Sequence, residues 1–238
     1  SKKTTIQEVI RNVPGLDVVQ TGGPGGTTSV FMRGAEARHT LILMDGIELG
    51  DSSAASGEYN LAHLTTDNIE RIEVLRGPQS TLYGSQAMGG VINIITKRGK
   101  GKPAGFLSAE GGSYYTAKER AGVSGGTDLF NYSLGASRFD SGGVSQASEK
   151  YGNVERDGYQ NTAFNTKLGI TPLSNLNIDF ILNYNKNRLA LDNSGGRGGD
   201  DPNYFAWTEQ FSFRSQTELS LFNDMWLQKL GVSYMDFD

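Results

Sequence analysis

Residues 69–97 read IERIEVLRGPQSTLYGSQAMGGVINIITK, and this stretch decides how the rest of the chain is interpreted. Its two ends, Ile69–Leu75 and Val91–Ile95, are rich in β-branched residues and predict two strands. Between them, Arg76–Gly90 is rich in glycine and other small residues and predicts a compact turn region. The residues before this stretch predict a small mixed unit, and those after it predict long amphipathic strands.

The residues before this stretch predict short helices and short strands. Thr5 and Glu8 have the spacing of a capping box, which predicts a helix over Thr5–Asn12 that ends before a Pro-Gly pair. A second, brief helix is predicted to begin near Thr66. The strands are predicted at 17–20, 29–33, 40–44 and 47–49, with an Asp45-Gly46 hairpin turn between the last two.

Two loops of small residues interrupt these strands, TGGPGG at 21–26 and GDSSAASGEYN at 50–60. The first contains closely spaced glycines, as phosphate-binding loops do. A phosphate-binding loop must open a helix, whereas the residues after this loop predict a strand. The spacing therefore does not indicate a nucleotide site.

The composition excludes several classes of protein. The 238 residues contain no cysteine, which excludes disulfides and cysteine-based metal sites, and the net charge of −4 argues against a nucleic-acid partner. The longest apolar runs, such as Leu41–Met44, are far shorter than the roughly 20 residues of a membrane-spanning helix. No signal peptide follows Ser1, so we expect a cytoplasmic protein or a mature or trimmed chain.

After the basic and flexible segment 97–103, the periodicity of the sequence changes to two. Over Leu176–Tyr184, for example, leucine, isoleucine, phenylalanine and tyrosine occupy the even positions, and polar residues occupy most of the odd ones. We therefore predict two domains, residues 1–100 and residues 101–238. Seven strands are predicted in the second, at about 104–110, 115–124, 128–139, 158–171, 176–188, 205–220 and 226–238.

The loop lengths distinguish between two kinds of half-buried sheet. Short connections alternate with long ones at 140–157 and 189–203, which places the long loops on one rim. This pattern is typical of an outer-membrane barrel with lipid-facing apolar residues and aromatic girdles. A soluble β-sandwich or lipocalin-like barrel is the alternative. Seven strands cannot close a barrel that needs an even number, so we expect the chain to be a fragment.

Three segments then resemble a known family: MRG at 32–34, LILMDG at 41–46 and the stretch 69–97. They resemble the plug domain of TonB-dependent outer-membrane receptors, and VPGLDVVQTGGPGGTTSVFMRG at 13–34 is most similar to the cobalamin-transporter branch. The resemblance implies an N-terminal α+β plug domain followed by antiparallel transmembrane β-barrel strands, about 7 of an expected 22. Nothing before Thr5 resembles the TonB-box segment of this family.

The resemblance also implies a function. It predicts a receptor in the outer membrane of a Gram-negative bacterium, surrounded by outer-membrane lipid, that imports a large scarce ligand with energy from the periplasmic TonB protein. Cobalamin is the expected ligand, and a siderophore, haem or another metal chelate is the alternative. Two other classes stay open, a docking protein of the outer membrane that transports nothing and a soluble β-rich adhesin.

Site residues follow from the same resemblance. Arg33 and Arg76 match plug arginines that pair with glutamates on the barrel wall, although each could simply solvate the end of a strand. The two small-residue loops match plug apices that contact substrate, because small residues allow close approach to a bulky ligand. They could also be plain flexible turns. The residues predicted to contact substrate are Gly25, Asp51, Ser53, Ser56 and Tyr59.

A calcium site is predicted in the two long loops. Carboxylate oxygens among glycines suit calcium, and the resemblance places these loops where the cobalamin branch binds it. The predicted ligands are Asp157, Asp192, Asp200 and Asp201. An acidic loop that is merely solvated is the alternative, and no covalent cofactor is expected.

The sequence does not predict an enzyme. His39 and His63 are its only histidines, and neither lies in an HExxH motif or near a GxSxG nucleophile. Hydrogen bonding within the N-terminal unit is the role expected of both.

Overall fold

The computed structural model describes residues 3, 5–50, 57–145, 149–151, 153–193, 199, 201 and 203–238. These residues form two parts, which we call the N-terminal unit, ending at Thr96, and the strand wall, beginning at Ala104. The segment between them contains the predicted boundary at residue 100, which we propose to keep as the division between domains.

The N-terminal unit combines a mixed four-stranded sheet, a separate hairpin and two short helices. The sheet has the order β4-β3-β6-β5, in which β3 and β6 are parallel and the other neighbours are antiparallel. No helix among the described residues is both long and apolar enough to cross a membrane. The elements are α1 (Ile6–Ile10), β1 (Leu16–Gln20), β2 (Thr28–Met32), β3 (Thr40–Met44), β4 (Ile47–Leu49), β5 (Ile69–Arg76), α2 (Ser80–Tyr83) and β6 (Gly90–Thr96).

Local sequence signals explain most of these elements. Glu8 caps α1 by accepting a hydrogen bond from Thr5 N at 3.2 Å. Asp45 and Gly46 have φ angles of 49° and 79°, as a two-residue hairpin turn with both central residues left-handed requires. The predicted helix at Thr66 is wrong, because residues 66–68 form a bend and a turn before β5. The Thr66 hydroxyl donates to Lys3 O at 3.0 Å instead of capping a helix.

The core of the N-terminal unit lies between its sheet, its hairpin and α1. Apolar residues from these elements are almost completely removed from solvent, which is the main stabilising term in a unit of this size. The residues at most 1% exposed include Ile6, Ile10, Met32, Leu61, Ile92 and Ile94. The stretch 69–97 therefore supplies both the edge strand β5 and the central strand β6.

The strand wall is a single antiparallel sheet in which each strand pairs with its neighbours in sequence. Seven strands form it, in agreement with the sequence analysis. They are β7 (Ala104–Gly112), β8 (Thr116–Gly126), β9 (Phe130–Ser141), β10 (Tyr159–Leu173), β11 (Leu176–Ala190), β12 (Phe205–Leu221) and β13 (Trp226–Phe237). Their lengths of up to 17 residues exceed the usual five or six of soluble proteins.

The two rims of the wall differ in their connections. Both long connections, 142–158 and 191–204, lie on one rim together with the three-residue β7–β8 turn, and we call it the long-loop rim. The opposite, short-turn rim carries only connections of two to four residues, at 127–129, 174–175 and 222–225. This arrangement confirms the predicted segregation of the long loops.

The two faces of the wall also differ, because successive side chains of a strand alternate between them. The inner face contacts the N-terminal unit and is polar, with buried residues such as Asn161, Lys167 and Ser212. The outer face is mainly apolar and aromatic between the rims. Exposed outer-face residues include Phe130, Leu134, Phe164, Ile170, Phe180, Trp207, Val232 and Tyr234.

Candidate functional site

The N-terminal unit is held to the inner face of the wall by charged and polar side chains. The most buried group consists of Asp67, in the turn before β5, with Lys118 and Arg120 of β8. Asp67 Oδ2 lies 3.1 Å from Lys118 Nζ in an ion pair, and Asp67 Oδ1 accepts from Arg120 Nη1 at 3.3 Å. All three side chains are at most 8% exposed. Arg120 also pairs with Glu110 of β7. We call Asp67, Lys118 and Arg120 the buried ion cluster.

A second link lies at the β3–β4 turn. Asp45 Oδ1 is 3.0 Å from Lys167 Nζ of β10, and the Asp45 side chain is only 2% exposed. The same carboxylate accepts from the Thr96 hydroxyl at 2.7 Å and from Thr96 N at 3.2 Å. Asp45 therefore closes the turn, fixes the end of β6 and anchors the sheet to the wall.

A third link fixes the segment between the two parts. Arg98 Nη2 is 2.7 Å from Asp179 Oδ1 of β11, and its Nε donates to Asn131 Oδ1 of β9 at 3.2 Å. Asn131 and Asp179 both lie near the short-turn rim. The chain is therefore bound to the inner face immediately before it enters the wall.

Neutral hydrogen bonds form a fourth link, nearer the long-loop rim. The carbonyl of His63 accepts from Asn161 Nδ2 and Asn185 Nδ2, both at 3.1 Å, and its ring Nδ1 lies 3.0 Å from Tyr159 Oη. The Tyr59 hydroxyl donates to Gln210 Oε1 at 2.8 Å. The structure thus places His63 in a hydrogen-bonding role at the interface.

The chemistry of this interface determines what it can do. Burying a charge is costly unless the charge is paired, so each link is stable only while both partners are in place. An interface of ion pairs and amides can also separate into water without exposing a large apolar surface, because water then solvates the released groups. The N-terminal unit is therefore fixed in register mainly by polar links, to which Met235 and Phe237 of β13 add an apolar contact with its core.

The residues predicted to contact substrate lie partly in this interface. Gly25 is buried, with a φ of 83°, and a Cβ at this position would overlap the ring of Tyr159. Tyr59 is 6% exposed and bonded to the wall. The remaining three, Asp51, Ser53 and Ser56, lie outside the described residues. A cavity beside the 21–26 loop, about 300 Å³ in volume, is lined by Gly22, Gly23, Pro24, Gly25, Phe139 and Tyr159 among others.

The two predicted lock arginines lie next to each other. Both side chains flank Gly15, and Arg33 also lies close to Gly77. Arg76 Nη1 donates to Pro14 O at 2.8 Å. Both arginines are exposed, so their guanidinium groups remain accessible to further partners. Their pairing with glutamates of a barrel wall stays a prediction.

The predicted calcium ligands lie in the two long connections. Asp157 is 3% exposed, and Asp201 accepts hydrogen bonds from Asn193 Nδ2 at 2.6 Å and from Asn203 N at 3.0 Å. Within the described parts of the chain, no three His, Cys, Asp or Glu side chains are close enough together to hold a metal ion. Asp200 is outside those parts, and the calcium site stays a prediction.

The charged residues that form the interface were not predicted from the sequence. Lys118, Arg120 and Lys167 occupy inner-face positions of strands that otherwise alternate regularly. Charges at such positions indicate either a water-filled lumen or a polar partner inside it. Their partners Asp45 and Asp67 lie in turns, and no local sequence pattern predicts that these carboxylates pair with the wall.

The N-terminal unit matches a known family of domains. Residues 1–91 match the family model described as the TonB-dependent Receptor Plug Domain. The match ends within β6 and covers less than half of the chain.

Solved structures of similar fold extend over both parts. The ferric yersiniabactin uptake receptor FyuA from Yersinia pestis is 19% identical, with a TM-score of 0.74 over 98% of this chain. The siderophore receptor PirA from Acinetobacter baumannii is 23% identical, with a TM-score of 0.75 over 99%. The unliganded ferric citrate transporter FecA is 19% identical, with a TM-score of 0.76 over the full chain. In each case the matched region is 38% of the other chain.

This likeness shows the fold, a plug domain followed by seven antiparallel wall strands. The chain therefore spans well under half the length of the structures that it matches.

Proposed function

We propose that this chain forms the plug and first wall strands of an outer-membrane receptor that imports a metal chelate into a Gram-negative bacterium. The observation that carries the proposal is the polar, ion-paired contact between the N-terminal unit and the inner face of the wall. An importer must close its pore and still release the plug in part, and polar links permit both. The role is transport, not catalysis.

The outer face of the wall supports a membrane location. Its apolar side chains are exposed over most of the strand length, and a water-soluble sheet would cover them. Aromatic residues such as Trp207, Trp226 and Tyr234 lie toward the ends of their strands, as residues at membrane interfaces do. Outer-membrane lipid is then the partner of this face, and the soluble adhesin is disfavoured.

A metal chelate is favoured over cobalamin as the ligand. The three similar structures are named for ferric yersiniabactin, a siderophore and ferric citrate. The cavity beside the 21–26 loop offers backbone groups of small residues together with Phe139 and Tyr159, which suits a bulky ligand. Cobalamin, suggested by the sequence of this loop, remains the competing ligand within the same class.

The other predicted sites belong to this proposal. Arg33 and Arg76 would pair with wall glutamates on the side of the plug that is exposed in this chain. Asp157, Asp192, Asp200 and Asp201 would order the long loops with calcium. TonB would supply the energy from the periplasm by pulling on the N-terminal side of the plug.

Ligand binding by the complete receptor tests the proposal. Ferric citrate, a ferric catecholate siderophore and cobalamin are titrated separately, each with and without calcium, and uptake into cells is followed with and without a proton gradient. We expect saturable binding of a ferric chelate and uptake that stops when the gradient is collapsed. Saturable binding of cobalamin alone would identify cobalamin, and not a metal chelate, as the ligand. Absence of binding to all three probes would leave the docking role.

A further inference from the structure

The outer face of the wall changes character close to the long-loop rim. Below the rim it is apolar, but Arg138 of β9 and Lys186 and Arg188 of β11 lie on it beside Phe205 and Trp207 of β12. These five side chains line a cavity of about 430 Å³. Strands β9 and β11 end at this rim and β12 begins there, so the three cations share one height on the wall.

Two of these cations are held in place by carboxylates on the same face. Arg138 donates to both oxygens of Asp140, at 2.6 and 2.8 Å, and to the Thr162 hydroxyl at 2.7 Å. Lys186 Nζ donates to Glu209 Oε2 at 2.8 Å. These pairs hold the positive charges at fixed positions around the cavity.

The third cation, Arg188, and a further arginine, Arg156, are held by aromatic rings instead. The Arg188 guanidinium lies 4.3 Å from the ring centre of Phe205, and that of Arg156 lies 5.1 Å from the ring centre of Tyr115. Neither has a carboxylate within ion-pair distance among the residues that the structure places. A stacked guanidinium keeps its in-plane N–H donors available for an acceptor.

The two stacked arginines face a common space. A second cavity, about 490 Å³ in volume, is lined by Tyr115, Asp140, Arg156 and Arg188 among others, and Gln160 and Arg188 line both cavities. Glu119, the cross-strand neighbour of Arg138, lies at the edge of this region. Four cations therefore lie close to three carboxylates in this region. The two cations without a described carboxylate partner are Arg188, which lines both cavities, and Arg156, which lines the second.

This arrangement of cations and aromatic rings determines which kind of ligand the surface can bind. Two arginine forks and nearby amide donors select an anion with several oxygens, and phosphate fits them best. The apolar belt continues directly below, through Phe164 and Tyr184, and would accommodate hydrocarbon chains. Only an amphipathic molecule that lies against the outer face can contact both regions at once.

We infer that this surface, formed by Arg138, Arg156, Lys186 and Arg188 above the apolar belt, binds the phosphate-bearing headgroup of an outer-leaflet lipid. The inference rests on the proposed membrane location of the wall. The lipid would contact the 142–158 connection through Arg156 and β11 through Arg188. Bound lipid would then tie one of the two long loops to the wall.

The test is lipid binding to the complete, detergent-solubilised receptor, measured by native mass spectrometry. The probes are a bis-phosphorylated diglucosamine lipid, the same lipid without phosphates, and inorganic phosphate. The variant is Arg156→Ala/Arg188→Ala, and the control is Lys229→Ala, an exposed lysine of β13 near the short-turn rim. We expect the phosphorylated lipid to bind the parent and the control, and to bind the double variant at least about tenfold more weakly.

Two results would overturn the inference. Equal binding of the phosphorylated and dephosphorylated lipids would show that only the apolar belt is used. Binding of inorganic phosphate as tight as that of the lipid would assign the site to free anions. Chelate import is measured separately on the same variants, so either of these results with import intact rejects this inference and leaves the proposed function standing. Thermal unfolding of the double variant confirms that these exposed substitutions leave the fold intact.

Discussion

Replacing Asp67 by alanine is expected to weaken the attachment of the N-terminal unit to the wall by about 3–5 kcal/mol. The substitution removes the carboxylate shared by Lys118 and Arg120, whose side chains are 3% and 8% exposed. Their charges would stay buried without the partner that compensates for lost solvation. We expect a large decrease in the denaturant concentration at which the N-terminal unit of the complete receptor unfolds.

A matched control is available within the same unit. Glu70 pairs with Arg71 at 3.3 Å, but both side chains are at least 40% exposed. Water solvates such a pair well, so Glu70→Ala should leave the unfolding midpoint unchanged. Equal effects of the two substitutions would mean that the buried ion cluster does not attach the N-terminal unit to the wall.

Replacing Gly25 by alanine is also expected to be strongly destabilising, by about 2–5 kcal/mol. Its φ of 83° is left-handed, which costs a residue with a side chain roughly 1–2 kcal/mol. The added Cβ would also overlap the Tyr159 ring, and relief of such overlap typically costs about 1–3 kcal/mol. The 21–26 loop should therefore move away from the wall, with faster amide hydrogen exchange in the loop.

Gly23 provides the control for this prediction. It belongs to the same loop, and a Cβ built there meets no atom within 4 Å. Gly23→Ala should therefore leave both the stability and the amide exchange near those of the parent. If Gly25→Ala and Gly23→Ala behave alike, the contact with Tyr159 does not position the loop.

The wall could be predicted from sequence because its signal is local. Alternation with a period of two identifies each strand, and the turn residues between them set the boundaries within a few positions. The Asp45-Gly46 turn was predictable for the same reason, since the residue pair alone favours the left-handed conformation. The prediction of a helix near Thr66 was wrong because the Thr66 hydroxyl donates a hydrogen bond to Lys3 O, a contact between distant parts of the sequence.

The interface could not be predicted, because its contacts join residues far apart in the chain. Whether Asp67 faces Lys118 depends on how the N-terminal sheet is oriented within the wall, and no local pattern records that orientation. Gly25 and Tyr59 were predicted to contact substrate, but both contact residues of the wall that are distant in sequence. A glycine that allows close approach to a ligand equally allows close approach to Tyr159, and the residue type does not distinguish the two.

In the proposed receptor the N-terminal unit closes the pore, and solute flux measures this closure. The complete receptor is reconstituted in liposomes loaded with a small fluorescent solute, and release of the solute is followed over time. We predict retention of the solute, because the paired charges hold the N-terminal unit against the wall. Rapid release from liposomes that contain the intact parent receptor, as through an open porin, would show that the N-terminal unit does not close the pore.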